Sequence, residues 1–229
     1  DGLNFMREIV LDTETTGLKA NGGDRLVEIG CVELVNHIAT GNNYRVYINP
    51  ERDMPDEAFR VHGLSEEFLL DKPLFADVID GFLEFIDDSP LIIHNAEFDI
   101  GFLNAELANV GKPKIPMERT IDTVKIARRK FPGSRVNLDA LCSRFQIDNT
   151  NRALHGALLD AQLLSEVYLE LIGGRQPGLE LAAEKAKQSA LEVIESTNQR
   201  PPRAHAPTSD EMAAHEEFLA QLSEPVWRS

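Results

Sequence analysis

The sequence predicts an α/β domain over residues 1–174 and a tail of different character over residues 175–229. Three observations lead there. Short runs of strand type take turns with longer runs of helical period through the first 174 residues. The first three strand-like runs follow one another with only polar turns between them, which suggests a meander. From Arg175 the alternation stops and a Pro-interrupted, polar linker takes over.

Taken in order, "REIVLDTE" reads as a strand whose segment Ile9-Val10-Leu11 is apolar at every position, as in a strand covered on both faces. "LVEIGCVELV" is the second strand, ended by the polar turn "NHIATGNN". "YRVYIN" mixes tyrosine with β-branched residues and closes at Pro50. Helical patterns follow in "SEEFLLD" and "FADVIDGFLEFI". "PLIIHN" is a short apolar strand running into the polar pair His94–Asn95. "AEFDIGFLNAELANVG" is an amphipathic helix stopped by Gly111, and "RTIDTVKIARRKF" reads as strand into helix, ended by Pro132-Gly133. "LDALCSRFQI" and "HGALLDAQLLSEVYLELIGG" are further helices. The second puts Leu159, Leu163, Val167 and Leu171 on one stripe and stops at two glycines.

The composition, 42% hydrophobic and 27% charged, suits a globular chain. No apolar run approaches the roughly 18 residues of a membrane span, so no membrane association is expected. "DGLNFMREIV" has no basic run before a long apolar one, and Cys31 and Cys142 lack metal-ligand spacing. A cytoplasmic protein with reduced core cysteines is expected. The net charge of -15 excludes a broad basic face for nucleic acid, though not an acidic, metal-filled pocket acting on phosphates.

Asp12 and Glu14 end the first buried strand, and side chains two apart on a strand share a face. Two carboxylates that close repel, and in a poorly hydrated site they need a cation. Asp99 stands between Phe98 and Phe102 directly after another buried strand, where an acid is usually paired or metal-bound. "LHGALLDA" holds His155 and Asp160. Five residues turn a helix by about 500°, or about 140° net, so the two share no helical face unless His155 precedes the helix in a loop. All-oxygen ligation by Asp12, Glu14, Asp99 and Asp160 suits Mg²⁺ or Mn²⁺ rather than zinc and leaves His155 free as a base. Each signal alone is ordinary; the three in this order are not.

The ordered set Asp12, Glu14, Asp99, His155, Asp160, within "VLDTETTGL", "HNAEFDIGF" and "LHGALLDA", resembles the DEDDh exonuclease family over nearly all of residues 7–174. The whole chain most resembles the proofreading subunits of bacterial replicative polymerases. The resemblance implies a ribonuclease H-like fold, a mixed five-stranded sheet flanked by helices, and 3′→5′ removal of nucleotides from a single-stranded 3′ end of DNA. It implies two divalent cations, with Asp12 bridging both, Glu14 and Asp160 on one and Asp99 on the other, and His155 taking the proton of the attacking water. It also implies that Glu57 and His62, in "DEAFRVHG", line the terminal nucleotide's pocket. Thr13 and Thr15 would offer backbone groups there, and Phe98 a stacking face, while Phe102 packs. "ARRKFPGSR" gathers Arg128, Arg129, Lys130 and Arg135, either a solvated helix end or a phosphate-contacting patch.

Residues 175–207 hold "QPGLEL", similar to the peptide by which bacterial replication proteins dock on the sliding clamp; it offers Gln176, Leu179 and Leu181. Residues 208–229 begin with a capping box, Thr208 to Glu211, and carry Met212, Phe218, Leu219, Leu222 and the sole tryptophan, Trp227. So short a segment needs a partner surface, which the resemblance names as the polymerase III alpha subunit; a small accessory subunit is a further candidate partner. Two readings compete with proofreading. One is a free-standing DEDDh nuclease trimming RNA 3′ ends, which needs neither peptide nor tail. The other is a non-catalytic adaptor of the same fold, which need not keep all five positions.

Overall fold

The structure, a computed structural model, describes residues 6–152, 154–173 and 206–221. The chain divides into two units, Asp1–Pro177 and Gly178–Ser229. At the centre of the first unit is a five-stranded sheet in the order β3-β2-β1-β4-β5. The strands are β1 (Arg7–Thr15), β2 (Leu26–Val35), β3 (Ile38–Tyr47), β4 (Leu91–Ile93) and β5 (Thr120–Asp122). β1, β2 and β3 form an antiparallel meander, and β4 and β5 run parallel to β1. The mixed sheet implied by the sequence resemblance is the one present.

The alternation of side chains along β1 and β4 divides the core in two. Ile9, Leu11, Leu91 and Ile93 point into one cluster, packed by α3 (Phe75–Ile86) and α4 (Ala96–Asn109) with Phe75, Phe82 and Phe102. Val10, Ile92 and Val32 point into the other. That face is covered by α5 (Thr123–Lys130), α6 (Leu138–Phe145) and α7 (Ala157–Leu171) with Ala127, Leu141, Leu164 and Val167. An uninterrupted apolar run on β1 is the consequence of helices on both faces. On α7 the buried stripe centres on Ala157, Ala161, Leu164, Val167 and Tyr168, with Leu159 only partly covered at its edge.

One local expectation needed correction. The second hairpin turn is far shorter than "NHIATGNN". Asn36 and His37 both take positive φ, 52° and 67°, and close a two-residue turn, so β3 begins at Ile38. The polar residues Thr40 to Asn43 belong to the exposed edge strand instead. "DEAFRVH" is a helix, α1 (Asp56–His62), before the short α2 (Glu66–Leu70), and His62 is its buried last residue.

In the second unit, α8 (Ser209–Ala220) starts at the expected capping box: Thr208 Oγ1 accepts from the Glu211 N–H, and Glu211 Oε2 from the Thr208 N–H. Met212 and Phe218 are exposed on it. Gln176, Leu179, Leu181, Leu222 and Trp227 lie outside the described residues. Among the described residues no helix is long and apolar enough to cross a membrane.

Candidate active site

Because side chains alternate on β1, Asp12 and Glu14 continue the face of Val10, the face of α7, whereas Thr13 continues that of Ile9 and Leu11, the face of α4. Asp99 rises from the first turn of α4, and Thr13 Oγ1 donates to its Oδ1 at 2.7 Å. Asp160 projects from the first turn of α7, and His155 sits in the loop just before it. Elements from both faces therefore converge beyond the carboxyl end of β1. They line a cleft of about 410 Å³ with Asp12, Thr13, Glu14, Phe98, Asp99, His155 and Asp160. Ligand atoms of Glu14, His155 and Asp160 lie within 4.8 Å of one another.

The start of α7 is held at three points. Gly30 faces Asp12 across the β1–β2 ladder, and a Cβ there would lie 2.2 Å from the Leu158 nitrogen and 2.3 Å from the Ala157 carbonyl carbon. Only glycine permits that approach. Glu28, buried and opposite Glu14, accepts from the Ala157 N–H at 3.2 Å while Arg45 holds its other oxygen. The register then slips, Glu14 facing Glu28 but Thr15 facing Leu26, a bulge of the kind that re-aims side chains beside active sites. Finally, the His155 N–H donates to the Val61 carbonyl, and Leu154 packs against the backbone of Gly63, which ends α1 at φ 71°.

The electrostatics follow from burial. It pushes Asp12 well above the carboxylate range, with Asp99, Glu14 and Asp160 adding their repulsion. Glu14 rises to about 8 from burial, then from the charges of Asp160, Glu28 and Asp99. Asp99 rises to about 7, again chiefly from burial, held back by the Thr13 hydroxyl. Burial pushes Asp160 up too, but the adjacent His155 ring together with the hydrogen bonds and charge of Arg152 outweigh it and leave it below its usual value. Three carboxyls that resist ionising, with Asp160 and one imidazole, form the oxygen-rich donor set a hard divalent cation takes. The residues present fit such a cation.

His62 is 5% exposed at the end of α1. Its Nδ1 accepts from the Leu64 N–H, so Nε2 carries the proton, and that atom is buried without a hydrogen-bond partner among the described residues. Burial holds its pKa below the ordinary value, with the Thr15 backbone and His155 as neighbours. Thr15 Oγ1 is engaged with the Gly17 carbonyl. Glu57 is exposed in the first turn of α1 and is not among the residues lining the cleft. Phe98 lines it and Phe102 packs beneath, ring centroids 5.0 Å apart. Of the basic group, Lys130 caps the carbonyls of Glu170 and Leu171 at the end of α7, while Arg128, Arg129 and Arg135 are exposed.

Sequence reasoning missed Arg152, Asp139, Asn137, His94 and Asn95, all lining the cleft. The polar pair after β4 was a signal for the last two, and Asn95 adopts φ 73° to start α4 toward the site. Arg152, three residues before His155, carried no signal of its own in the sequence.

The exonuclease family profile matches residues 9–168. The DNA polymerase III subunit epsilon of Rickettsia conorii is 52% identical over 225 residues, covering 96% of this chain and 98% of its own. Among solved structures, exonuclease X in complex with 5′ overhanging duplex DNA is 28% identical with a TM-score of 0.56, covering 72% of this chain and 90% of that one. The nuclease domain of 3′hExo, a DEDDh family member bound to rAMP, shares the fold at 16% identity, with a TM-score of 0.65 and coverage of 75% and 94%. The chain belongs to the exonuclease family and, within it, to the DNA polymerase III epsilon subunits.

Proposed function

We propose that this protein is the proofreading 3′→5′ exonuclease of a replicative DNA polymerase, hydrolysing the terminal phosphodiester of a single-stranded 3′ end. The observation that carries the reading is the convergence of Asp12, Glu14, Asp99, Asp160 and His155 on one cleft, in a chain of the epsilon group. Asp12, Glu14, Asp99 and Asp160 would hold two divalent cations, Mg²⁺ or Mn²⁺. When bound, these supply an acidified water and charge neutralisation at the leaving 3′ oxygen. His155, exposed at the cleft, takes the water's proton as general base. Phe98 offers its ring to the terminal base, and the backbone of Thr13 and Thr15 offers hydrogen bonds. The Nε2–H of His62 is a buried donor without a partner among the described residues, suited to the terminal nucleotide, with Glu57 on the same helix.

Residues 208–229 dock on the polymerase III alpha subunit through the apolar side chains Met212 and Phe218 of α8, and residues 176–181 on the sliding clamp; a small accessory subunit is a further proposed partner. Tethering also answers the net charge of -15, since high effective concentration replaces intrinsic DNA affinity. The test uses 5′-labelled single-stranded DNA and a matching RNA with Mg²⁺, Mn²⁺ or EDTA, beside Asp12→Ala. A DNA ladder shortening from the 3′ end, lost with EDTA and in the variant, supports the reading. RNA degraded far faster than DNA moves it to RNA-end trimming, and no degradation of either moves it to an adaptor.

A further inference from the structure

Among the described residues, Arg152 is the one lysine or arginine lining the acidic cleft. Its side chain is only 6% exposed. Nε and Nη2 donate to the two oxygens of Asp160, each at 2.6 Å, a bidentate pair. Nη1 donates to Asp139 Oδ1 at 2.6 Å, and Nη2 also lies 2.7 Å from His155 Nδ1. A guanidinium has donors only, so His155 Nδ1 must present its lone pair in this arrangement and the proton of the neutral ring sits on Nε2. A second contact competes for the same atom: His155 Nδ1 is 3.2 Å from Asp160 Oδ2, a bond it makes only when it carries the proton itself.

We propose that Arg152 is a positioning residue that competes with divalent cations for Asp160 and, while it holds Asp160, locks His155 in the Nε2-protonated tautomer. A cation that draws Asp160 away removes the guanidinium's bidentate partner and releases Nδ1. Loading of the carboxylates and release of His155 Nδ1 from the guanidinium are thereby coupled. The inference rests on the reading of Asp160 as a metal-holding carboxylate.

The test uses the full chain, freed of metal with EDTA and desalted, with Arg152→Gln and Arg152→Lys beside it. Mn²⁺ binding is followed by electron paramagnetic resonance, and the His155 ring nitrogens by ¹⁵N resonance above pH 8 with and without Mg²⁺. Arg152→Gln should bind Mn²⁺ at least about tenfold more tightly, because a unit charge a few ångströms from the site has been removed. Arg152→Lys, which keeps the charge but not the fork, should fall between. Wild-type Nδ1 should read unprotonated without Mg²⁺ and change on adding it; Arg152→Gln should show the changed value without Mg²⁺. Equal or weaker Mn²⁺ binding by a folded Arg152→Gln overturns the inference, as does a wild-type Nδ1 that is protonated without Mg²⁺ or indifferent to it. Should Arg152→Gln fail to fold, the wild-type spectra alone decide. Absence of any Mn²⁺ binding by the wild type would instead overturn the metal-site reading.

Discussion

The Thr13 hydroxyl, on the α4 side of β1, donates to Asp99 of α4 at 2.7 Å, while its neighbours Asp12 and Glu14 face α7. One strand end thus places three consecutive side chains into a site built from helices on opposite faces. The bond is also the largest influence restraining the rise of Asp99, which burial has lifted to about 7.

Those raised carboxyls make stability depend on pH. Asp99 at about 7 and Glu14 at about 8 are protonated in the folded chain at a pH where both ionise in the unfolded one, near 4. Between pH 7 and 8 the unfolded chain binds fewer protons, so folding stability falls as pH rises. EDTA-treated protein should melt a few degrees lower at pH 8 than at pH 7, and millimolar Mg²⁺ should flatten the difference. Calorimetry at the two pH values checks this, and an equal slope with Mg²⁺ would mean the carboxylates do not hold the cation. His62 and His94, kept below their ordinary pKa by burial, are neutral in that window and do not contribute.

Gly30→Ala places a methyl group against the backbone of Ala157 and Leu158, which cannot swing aside. The start of α7 must shift, taking His155 and Asp160 with it. Overpacking of this kind costs about 1–3 kcal/mol, while a displacement near 1 Å costs about 10²-fold in rate. The variant should remain folded by circular dichroism yet lose most turnover; full turnover would show that the close approach is not what sets the site.

His155→Ala should leave the fold and Mn²⁺ binding largely intact while turnover drops by roughly 10²–10⁴-fold, the usual range for general-base catalysis. Single-turnover kinetics on a labelled oligonucleotide separates this from weaker substrate binding. Retained turnover would remove His155 from the mechanism.

Truncation after Gly174 removes none of the residues that line the cleft. The shortened chain should keep exonuclease activity on single strands and lose binding to the polymerase alpha subunit, measured by gel filtration of the mixed proteins. Loss of both would place the tail within the catalytic fold.

Much of this was legible in the residues. β1, β2, α3 and α7 fall where the apolar runs and helical periods put them, because helices on both faces demand continuous apolar strands and wide stripes. The Asn36–His37 turn was not, because Thr40 to Asn43 on an exposed edge strand look like loop. Nor was the burial of His62, which comes from the packing of α1 against the loop holding Leu154 and His155.

The identity of the acids and their chemical class follow from the chain alone. A carboxylate pair ending a buried strand, an acid among phenylalanines and a histidine beside a helix start are each costly unless used, and local period is enough to place them. The folded structure decides what no local pattern carries. It brings Thr13 of β1 to Asp99 of α4, allows α7 to approach Gly30, and seats Arg152 between Asp139, Asp160 and His155. Local period records which face a side chain takes, whereas these meetings depend on how elements far apart in the sequence pack, and a single arginine gives no sign of which carboxylate it will meet.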